Sequence, residues 1–333
     1  MPTSNCLTDV DGLLVGHAGD LQLGSGVTAI VFDPAAVVSV AVLGGAPGGR
    51  EQALLAPEMT AARVDAVVLS GGSAFGLDAA GGVQAALRED GRGLAVGGAR
   101  VPLVPQAILF DLANGGDKGW GRFSPYRDLG YTAARAATAG AASARGSVGA
   151  GLGATTATVK GGLGTASTRT GSGHIVAALA VVNALGAPTI GEGRQFWAAP
   201  FEVGDEFGGH GWPARMTAAD VAPRLKRPAS QPGTTIGLVA TDAALTKAEA
   251  RRLAIMAHDG LARAIWPAHL PMDGDTIFAA GTGRKPLGDA AATLTMLGIA
   301  AASVFARAVA RGVDAATALP HAGAQPAWRD RFG

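Results

Sequence analysis

The sequence contains a single cysteine, Cys6, among 333 residues. This excludes an intramolecular disulfide and a zinc site built from several cysteines. Aromatic residues make up only 5% of the chain and charged residues 16%, whereas glycine is abundant at 51 residues. Because small residues allow backbones to approach closely, this composition favours a layered α/β protein over a sandwich filled with aromatic rings.

Neither sign of charge predominates, since the net charge is only +1. A nucleic-acid-binding protein usually concentrates basic residues on one surface, so we expect no nucleic acid partner. The longest basic cluster consists of Arg224, Lys226 and Arg227 and lies among prolines, which is typical of a solvated loop. Apolar residues reach 48%, enough for a sizeable core, and disorder is not expected.

The chain also lacks the usual targeting patterns. Its first 20 residues have no basic flank followed by a long apolar run, so no signal peptide is expected. No uninterrupted apolar segment of membrane-spanning length is free of glycine and charge. These observations predict a cytoplasmic protein without a membrane partner.

Common catalytic and cofactor motifs are missing as well. The loop "GGAPGGRE" (44–51) has P-loop spacing but lacks the lysine and hydroxyl of that motif, and "SGGSAFG" (70–76) does not match a dinucleotide loop. Either loop could still bind an anion through its backbone amides. The six histidines are scattered and no "GxSxG" sequence occurs. We therefore expect no metal and no organic cofactor.

Periodicity predicts one domain over residues 1–333, with strands followed by helices. The predicted strands include a pair at 27–33 and 37–45, a buried strand that leads into a glycine turn and a helix within 64–90, a strand at 174–183, and a strand from 234. A helix after Thr246 has a capping box with Glu249, and another helix fills 289–312. Residues 187–233 show no period and are predicted to be a long surface segment.

The sequence "QPGTTIGLVATD" places two threonines between a Pro-Gly pair and a buried strand. One interpretation is that threonine simply suits a strand edge. The other is that Thr234 is a nucleophile, exposed when its hydroxyl attacks the preceding carbonyl and the resulting ester hydrolyses. Its own α-amine would then be the base. Gly233 can tolerate a strained peptide, whereas Thr235 lacks that glycine and points to the opposite face of the strand.

Four long motifs resemble one known family. They are "LSGGSAFGLDAAGGV", "GSVGAGLGATTATVKGGLGTAS", "TTIGLVATDAALTKAEARRLAIMAHDGLARAI" and "MDGDTIFAAGTG". They resemble the L-aminopeptidase/D-amidase-esterase family, which includes β-aminopeptidases and nylon-oligomer hydrolases, and the similarity extends from residue 8 to about 311. The resemblance implies a four-layer αββα sandwich like that of N-terminal-nucleophile hydrolases but with different connectivity. It also implies self-cleavage and assembly into larger oligomers, such as a tetramer of αβ units.

The resemblance assigns roles residue by residue. Thr234 matches the nucleophile and Gly233–Thr234 the self-cleaved bond, giving an α subunit of 1–233 and a β subunit of 234–333. Asn183 in "AVVNALG" matches the oxyanion-hole asparagine, and an ordinary strand-end asparagine is the alternative.

Three charged residues match the nylon-oligomer hydrolases. Lys160 matches a lysine near the nucleophile, where it would depress the pKa of the threonine amine or orient the hydroxyl. Asp273 and Asp275 match two carboxylates that would orient the threonine amine and hydroxyl and balance Lys160. A solvated lysine and an Asx turn are the structural alternatives.

One departure concerns the substrate. Classical β-aminopeptidases and the D-amidase have an acidic or aromatic residue just before the "KGG" that helps to hold the substrate's free amine, and here that stretch is "ATTATV". The expected activity is therefore hydrolysis of small peptides or amino-acid amides with an α-, β- or ω-amino acyl group. The alternatives are an acyltransferase of the ornithine acetyltransferase type and a non-catalytic anion-binding scaffold.

Overall fold

The computed structural model describes residues 4–226 and 231–333. The eleven strands of the described residues are β1 (Leu13–Asp20), β2 (Ser25–Val42), β3 (Gly49–Arg50), β4 (Val64–Ser70), β5 (Leu94–Val96), β6 (Ala99–Val101), β7 (Gln106–Ile108), β8 (Gly162–Arg169), β9 (Ile175–Asn183), β10 (Thr234–Ala243) and β11 (Thr276–Lys285). The α-helices are α1 (Ala79–Glu89), α2 (Tyr126–Arg135), α3 (Ala218–Val221), α4 (Lys247–Ala264), α5 (Ala290–Asp314) and α6 (Trp328–Phe332).

The long strand β2 belongs to two sheets at once. Its first half pairs with β1 on one side and β4 on the other, and β7 and β3 continue that sheet. Its second half pairs with β11, and the second sheet continues as β10, β9 and β8. The register with β4 shifts between Val31 and Ala36, where the strand passes from one sheet to the other. The sequence predicts two paired strands here, which is wrong: the halves of one strand pair with different partners.

The apolar side chains form three layers of core. One cluster joins the outer face of the first sheet to α1 and α2, and another joins the outer face of the second sheet to α4 and α5. The third cluster lies between the sheets and contains alternate residues of β9 and β10, among them Val181, Ile236 and Leu238. The layers are therefore helix, sheet, sheet, helix, which confirms the predicted αββα sandwich.

Two predicted elements match closely and one differs. The strand ending at Asn183 is confirmed, and α4 begins after Thr246, whose side chain accepts a hydrogen bond from the Glu249 amide. The described parts of the segment, 187–226 and 231–233, are irregular apart from the short helix α3, as predicted, but they are not only surface. Phe196 and Phe207 are buried and pack edge to face, because this segment covers one end of the helical layer around α5.

Helix α5 is long and apolar enough to cross a bilayer by length and composition alone. In the fold it packs against α4, β8 and β9, and 61% of its most apolar window is buried against the protein. Its approach to β8 is unusually close: a Cβ on Gly164 would lie 2.0 Å from the Ala308 carbonyl oxygen and 2.4 Å from the Gly312 nitrogen. Burial within the protein therefore accounts for its composition.

We predict that Gly164→Ala lowers the free energy of unfolding by about 2 to 3 kcal/mol, because the added methyl pushes α5 off β8. Gly171→Ala, at an exposed position with no atom within 4 Å of the added Cβ, should change it by less than about 0.5 kcal/mol. Urea-induced unfolding measures both values. Equal effects of the two substitutions would contradict the close packing of helix on strand.

Candidate active site

The first residue of β10 lies directly opposite the last residue of β9. Thr234 and Asn183 are cross-strand partners in an antiparallel pair, so their side chains emerge on the same face of the sheet. Thr234 alternates in step with Ile236 and Leu238, which face the layer between the two sheets. Both side chains are buried. The hydroxyl of Thr234 therefore lies at the end of the central layer and not on the solvent-facing surface.

The Gly233–Thr234 peptide is held tightly by the segment that precedes β11. The Gly233 amide donates to the Met272 carbonyl at 3.1 Å, and the Gly274 amide donates to the Gly233 carbonyl at 3.0 Å. The Thr234 hydroxyl contacts that same carbonyl oxygen. A Cβ on Gly233 would lie 2.1 Å from the Leu185 nitrogen, and its φ is outside the left-handed region. The glycine is required here for room, and not for an unusual backbone conformation.

The two predicted carboxylates flank this peptide and hold backbone amides. Asp273 accepts hydrogen bonds from the amides of Leu270, at 2.9 Å, and Leu185, at 3.4 Å. Asp275 accepts one from the Thr235 amide at 2.7 Å. Between them, a Cβ on Gly274 would lie 2.8 Å from the Thr234 hydroxyl oxygen. The "DGD" sequence therefore leaves the hydroxyl room between two fixed carboxylates.

One of these carboxylates is bound by a histidine that no sequence motif marks. The second oxygen of Asp275 accepts from the His269 amide at 3.0 Å and lies 2.9 Å from its Nδ1. The His269 ring packs edge to face on His258, with centroids 4.9 Å apart. Burial lowers the pKa of His258 to about 4. His269 thus fixes Asp275 from the side away from Thr235, beside a histidine that stays neutral at physiological pH.

Lys160 lies just before β8, which borders β9 on the side away from β10, and its side chain is buried. Its ammonium donates to the carbonyls of Gly151, at 3.1 Å, and Gly161, at 2.9 Å. Burial lowers its pKa to about 7, and the carboxylate whose charge opposes that shift is Asp111. The family resemblance predicts that Asp273 and Asp275 balance the charge of Lys160. In the fold, the carboxylate that attracts this ammonium is that of Asp111.

Asp111 also explains one of the two glycine loops. Its carboxylate accepts hydrogen bonds from the Gly72 amide at 2.8 Å and the Ser25 hydroxyl at 2.6 Å. A Cβ on Gly71 would lie 2.1 Å from the same carboxylate. The "SGGSAFG" loop does bind an anion, as its amides suggested, but the anion is a side chain of the protein itself. Burial raises the pKa of Asp111, and the hydrogen bonds from Ser25 and Gly72 offset this only in part.

The amide of Asn183 has a defined orientation. Its Oδ1 accepts from the Thr155 amide at 2.9 Å and from the Lys226 ammonium at 3.1 Å, and its Nδ2 donates to the Phe110 carbonyl at 2.9 Å. Because Lys226 can only donate and a carbonyl can only accept, these partners fix which end is oxygen. Nδ2 carries a second hydrogen, which has no acceptor among residues 4–226 and 231–333 and is available for an oxygen that enters the site.

The position of Lys226 differs from the one that the sequence predicts. The basic cluster of Arg224, Lys226 and Arg227 predicts a solvated loop, yet the Lys226 side chain is buried, with 5% of the residue exposed. Arg224 is partly exposed and pairs with Glu192, and Arg227 lies outside the described residues. Burial lowers the pKa of Lys226 to about 7, against the attraction of Asp273 and Asp111. A basic, proline-rich stretch carries no sequence signal for this, because only the tertiary fold places one lysine inward.

The fold therefore brings Thr234, Asn183, Asp273 and Asp275 together, with Lys160 buried on the far side of Asn183. It adds Asp111, Lys226 and His269, of which only Asp111 has a recognisable signal, as a carboxylate that follows a buried strand. Within residues 4–226 and 231–333, no three or more His, Cys, Asp or Glu side chains are grouped so that they could hold a metal ion.

The buried charges predict a dependence of stability on pH. Lys160 and Lys226 have folded-state pKa values of about 7 against an ordinary 10.5, so above pH 7 the unfolded chain binds more protons. The free energy of unfolding should then rise with pH from 7.5 to 9.5, by up to about 1.4 kcal/mol per pH unit for each lysine. Burial raises the pKa of Asp273 to about 6, so between pH 4 and 6 the folded chain binds more protons at this carboxyl than the unfolded chain does. The contribution of Asp273 to the free energy of unfolding therefore falls as pH rises from 4 to 6.

Urea-induced unfolding of Lys160→Met between pH 7.5 and 9.5 tests this directly. Its slope against pH should be smaller than that of the wild type, by up to about 1.4 kcal/mol per unit. Arg251→Met removes an exposed cation, and because arginine side chains do not lose their charge in proteins, its slope should equal that of the wild type. A wild-type slope in Lys160→Met would show that this ammonium does not lose its proton in the fold.

Sequence relatives cover almost the whole chain. A protein of Mycobacterium bovis, named an uncharacterized aminopeptidase, is 44% identical over 348 aligned positions that cover 98% of both chains. A protein of Mycobacterium leprae with the same description is 41% identical, over 95% of this chain and 91% of its own.

Solved structures share the fold. A β-aminopeptidase from Burkholderia sp. superposes with a TM-score of 0.67 at 21% identity, covering 98% of this chain and 91% of its own. The L-aminopeptidase D-Ala-esterase/amidase of Ochrobactrum anthropi superposes with a TM-score of 0.68 at 20% identity, covering 98% and 89%. The sequence model of peptidase family S58 matches residues 5–325. The chain therefore belongs to peptidase family S58 and is a hydrolase of peptide or amide bonds.

Proposed function

We propose that this chain cuts its own Gly233–Thr234 bond and that Thr234 then acts as the N-terminal nucleophile of an aminopeptidase or amidase. Its substrates are small peptides or amino-acid amides with an α-, β- or ω-amino acyl group. The observation that carries the proposal is the contact of the Thr234 hydroxyl with the Gly233 carbonyl oxygen, to which the Gly274 amide also donates. A nucleophile and an oxyanion donor thus meet at one peptide bond.

Self-cleavage proceeds in two steps. The Thr234 hydroxyl oxygen attacks the Gly233 carbonyl carbon, and the negative charge that develops on the carbonyl oxygen is stabilised by the Gly274 amide. The C–N bond then breaks, and the hydroxyl proton ends on the threonine nitrogen, leaving an ester. Water hydrolyses the ester, which gives a carboxylate on Gly233 and a free amine on Thr234.

Substrate hydrolysis uses the amine that scission exposes. The Thr234 amine takes the proton of its own hydroxyl, which attacks the amide carbonyl of the substrate. The second hydrogen of Asn183 Nδ2 supports a role in stabilising the tetrahedral oxyanion. The departing amine is protonated, and water releases the acyl group from Thr234.

We assign the charged residues of the site to orienting the Thr234 amine and lowering its pKa. The Asp275 carboxylate holds the Thr235 amide, and the Asp273 carboxylate holds the amide of Leu185, against which Gly233 packs. We assign both carboxylates to orienting the amine and hydroxyl of Thr234. Lys160, in its protonated form, lowers the pKa of a neighbouring amine. The relative from Ochrobactrum anthropi is described as a prototype of the serine aminopeptidases and as a variant of the Ntn-hydrolase fold, which supports a hydroxyl nucleophile here. Assembly into a tetramer of αβ units and a cytoplasmic location remain part of the proposal.

We predict that purified wild-type protein separates into fragments 1–233 and 234–333 on intact-mass analysis, and that Thr234→Val remains one inactive chain. The substitution keeps the shape of the side chain and removes the attacking oxygen. Thr235→Val is the matched control, since Thr235 is buried and its hydroxyl has no hydrogen-bond partner among the described residues. It should be cut like the wild type.

Cleavage of Thr234→Val at the same bond, or full activity of an unbroken wild-type chain, would refute the nucleophile. Substrate preference is measured with p-nitroanilides of α- and β-amino acids beside 6-aminohexanoate oligomers. Adding an amino-acid acceptor to the same reactions distinguishes hydrolysis from acyl transfer, since only a transferase forms the acylated acceptor.

A further inference from the structure

One lysine of the segment that leads to the proposed cleavage site is inserted into the active site. Residues 221–223 are exposed, but Lys226 turns inward. Its ammonium donates to both oxygens of Asn183, the backbone carbonyl at 2.9 Å and Oδ1 at 3.1 Å. Its amide donates to the Leu185 carbonyl at 3.0 Å, so the backbone is fixed as well. The lysine is therefore bound to the residue that pairs directly with Thr234.

The Lys226 ammonium is held by specific partners, although burial disfavours its charge and lowers its pKa to about 7. Asp273 and Asp111 attract it, and two carbonyl-type oxygens of Asn183 accept its hydrogens. Lys160 is near enough to oppose its charge, and burial disfavours that charge further, so the carboxylates and oxygens are what hold it in place. These groups form a compact site for one ammonium next to the nucleophile.

Space for a ligand lies on both sides of Lys226. One cavity of about 660 Å³ is lined by residues 222–226 together with Glu192 and Arg331. Another of about 370 Å³ is lined by polar side chains that include Asn114, Thr155 and Gln325. Lys226 and Ala157 line both cavities. Withdrawal of the lysine would join them into a cleft of the size that small ligands occupy.

We propose that Lys226 is an internal ligand of the active site, occupying in the uncut chain the place that the primary ammonium of a substrate takes in the cut enzyme. The inference rests on the proposed function and deepens it. Scission leaves Lys226 seven residues before a free chain end (233 − 226), so the segment is no longer tied to β10 and the ammonium can leave. The Asn183 oxygens then receive the amine of an amino-acyl substrate. This supplies the amine recognition that the "ATTATV" stretch lacks.

Ligand binding to the uncut chain tests the proposal without requiring catalysis. In full-length Thr234→Val protein, calorimetry measures the affinity for 6-aminohexanamide and for hexanamide, which has the same chain without the ammonium. We expect Thr234→Val/Lys226→Ala to bind 6-aminohexanamide at least tenfold more tightly than Thr234→Val does. Hexanamide affinity should change less than twofold, because hexanamide has no ammonium to donate to the Asn183 oxygens.

Two controls make the result specific. Lys226→Arg in the same background keeps a cation in place and should still exclude 6-aminohexanamide. Arg251→Ala in the same background removes an exposed cation on α4 that lines neither cavity, and it should behave like Thr234→Val alone. Thermal unfolding checks that each variant is folded, and Lys226→Gln replaces Lys226→Ala if the latter is not.

No gain in 6-aminohexanamide affinity would overturn the proposal. An equal gain for hexanamide would also overturn it, because it would indicate that the cleft opens without providing an ammonium site. Intact mass of the wild type separates this from a failure of the proposed function. A wild type that is never cut, together with a selective gain in the Lys226→Ala variant, would retain the ammonium site and remove Thr234 as nucleophile.

Discussion

The peptide that precedes β10 is held on both sides, by the end of β9 and by the segment that leads into β11. Gly233 packs against Leu185 so closely that no side chain fits, while Met272 and Gly274 bind its amide and carbonyl. This double restraint places the Thr234 hydroxyl on the carbonyl before it. The surrounding charged residues can act on the Gly233–Thr234 bond only because these contacts hold that peptide beside them.

Glycine loops allow the charged residues to reach that peptide. A Cβ on Gly44 would lie 2.3 Å from the Asp275 nitrogen, and one on Gly71 would overlap the Asp111 carboxylate. The two loops that resembled nucleotide-binding motifs therefore serve to bring backbone against acidic segments. The Gly72 amide replaces water around the buried Asp111 carboxylate, whereas the amides of Gly44 and Ala46 bind the backbone carbonyls of Asp275 and Asp273.

Residue patterns predicted the strand ending at Asn183 and the candidate nucleophile Thr234, because both lie at the end of a strongly patterned strand. The layers and the roles of Asn183, Asp273 and Asp275 came instead from the resemblance of long motifs to a known family. The sequence prediction was wrong about β2, since alternation cannot tell one long strand that changes sheets from two that pair. It also missed Lys226 and His269. Their positions depend on irregular segments folding back over the sheet, and neither periodicity nor turn chemistry describes such segments.

The order of strands in the second sheet has a consequence for the molecule as a whole. β10 and β11 are neighbours in this sheet. β9 is the other neighbour of β10 and β2 is the other neighbour of β11, so both outer strands come from earlier in the chain. If the backbone were severed at the start of β10, the two pieces would remain interleaved in one hydrogen-bonded sheet. Neither piece has a complete core, so a severed molecule would still melt as one unit, and separating its parts would require denaturation.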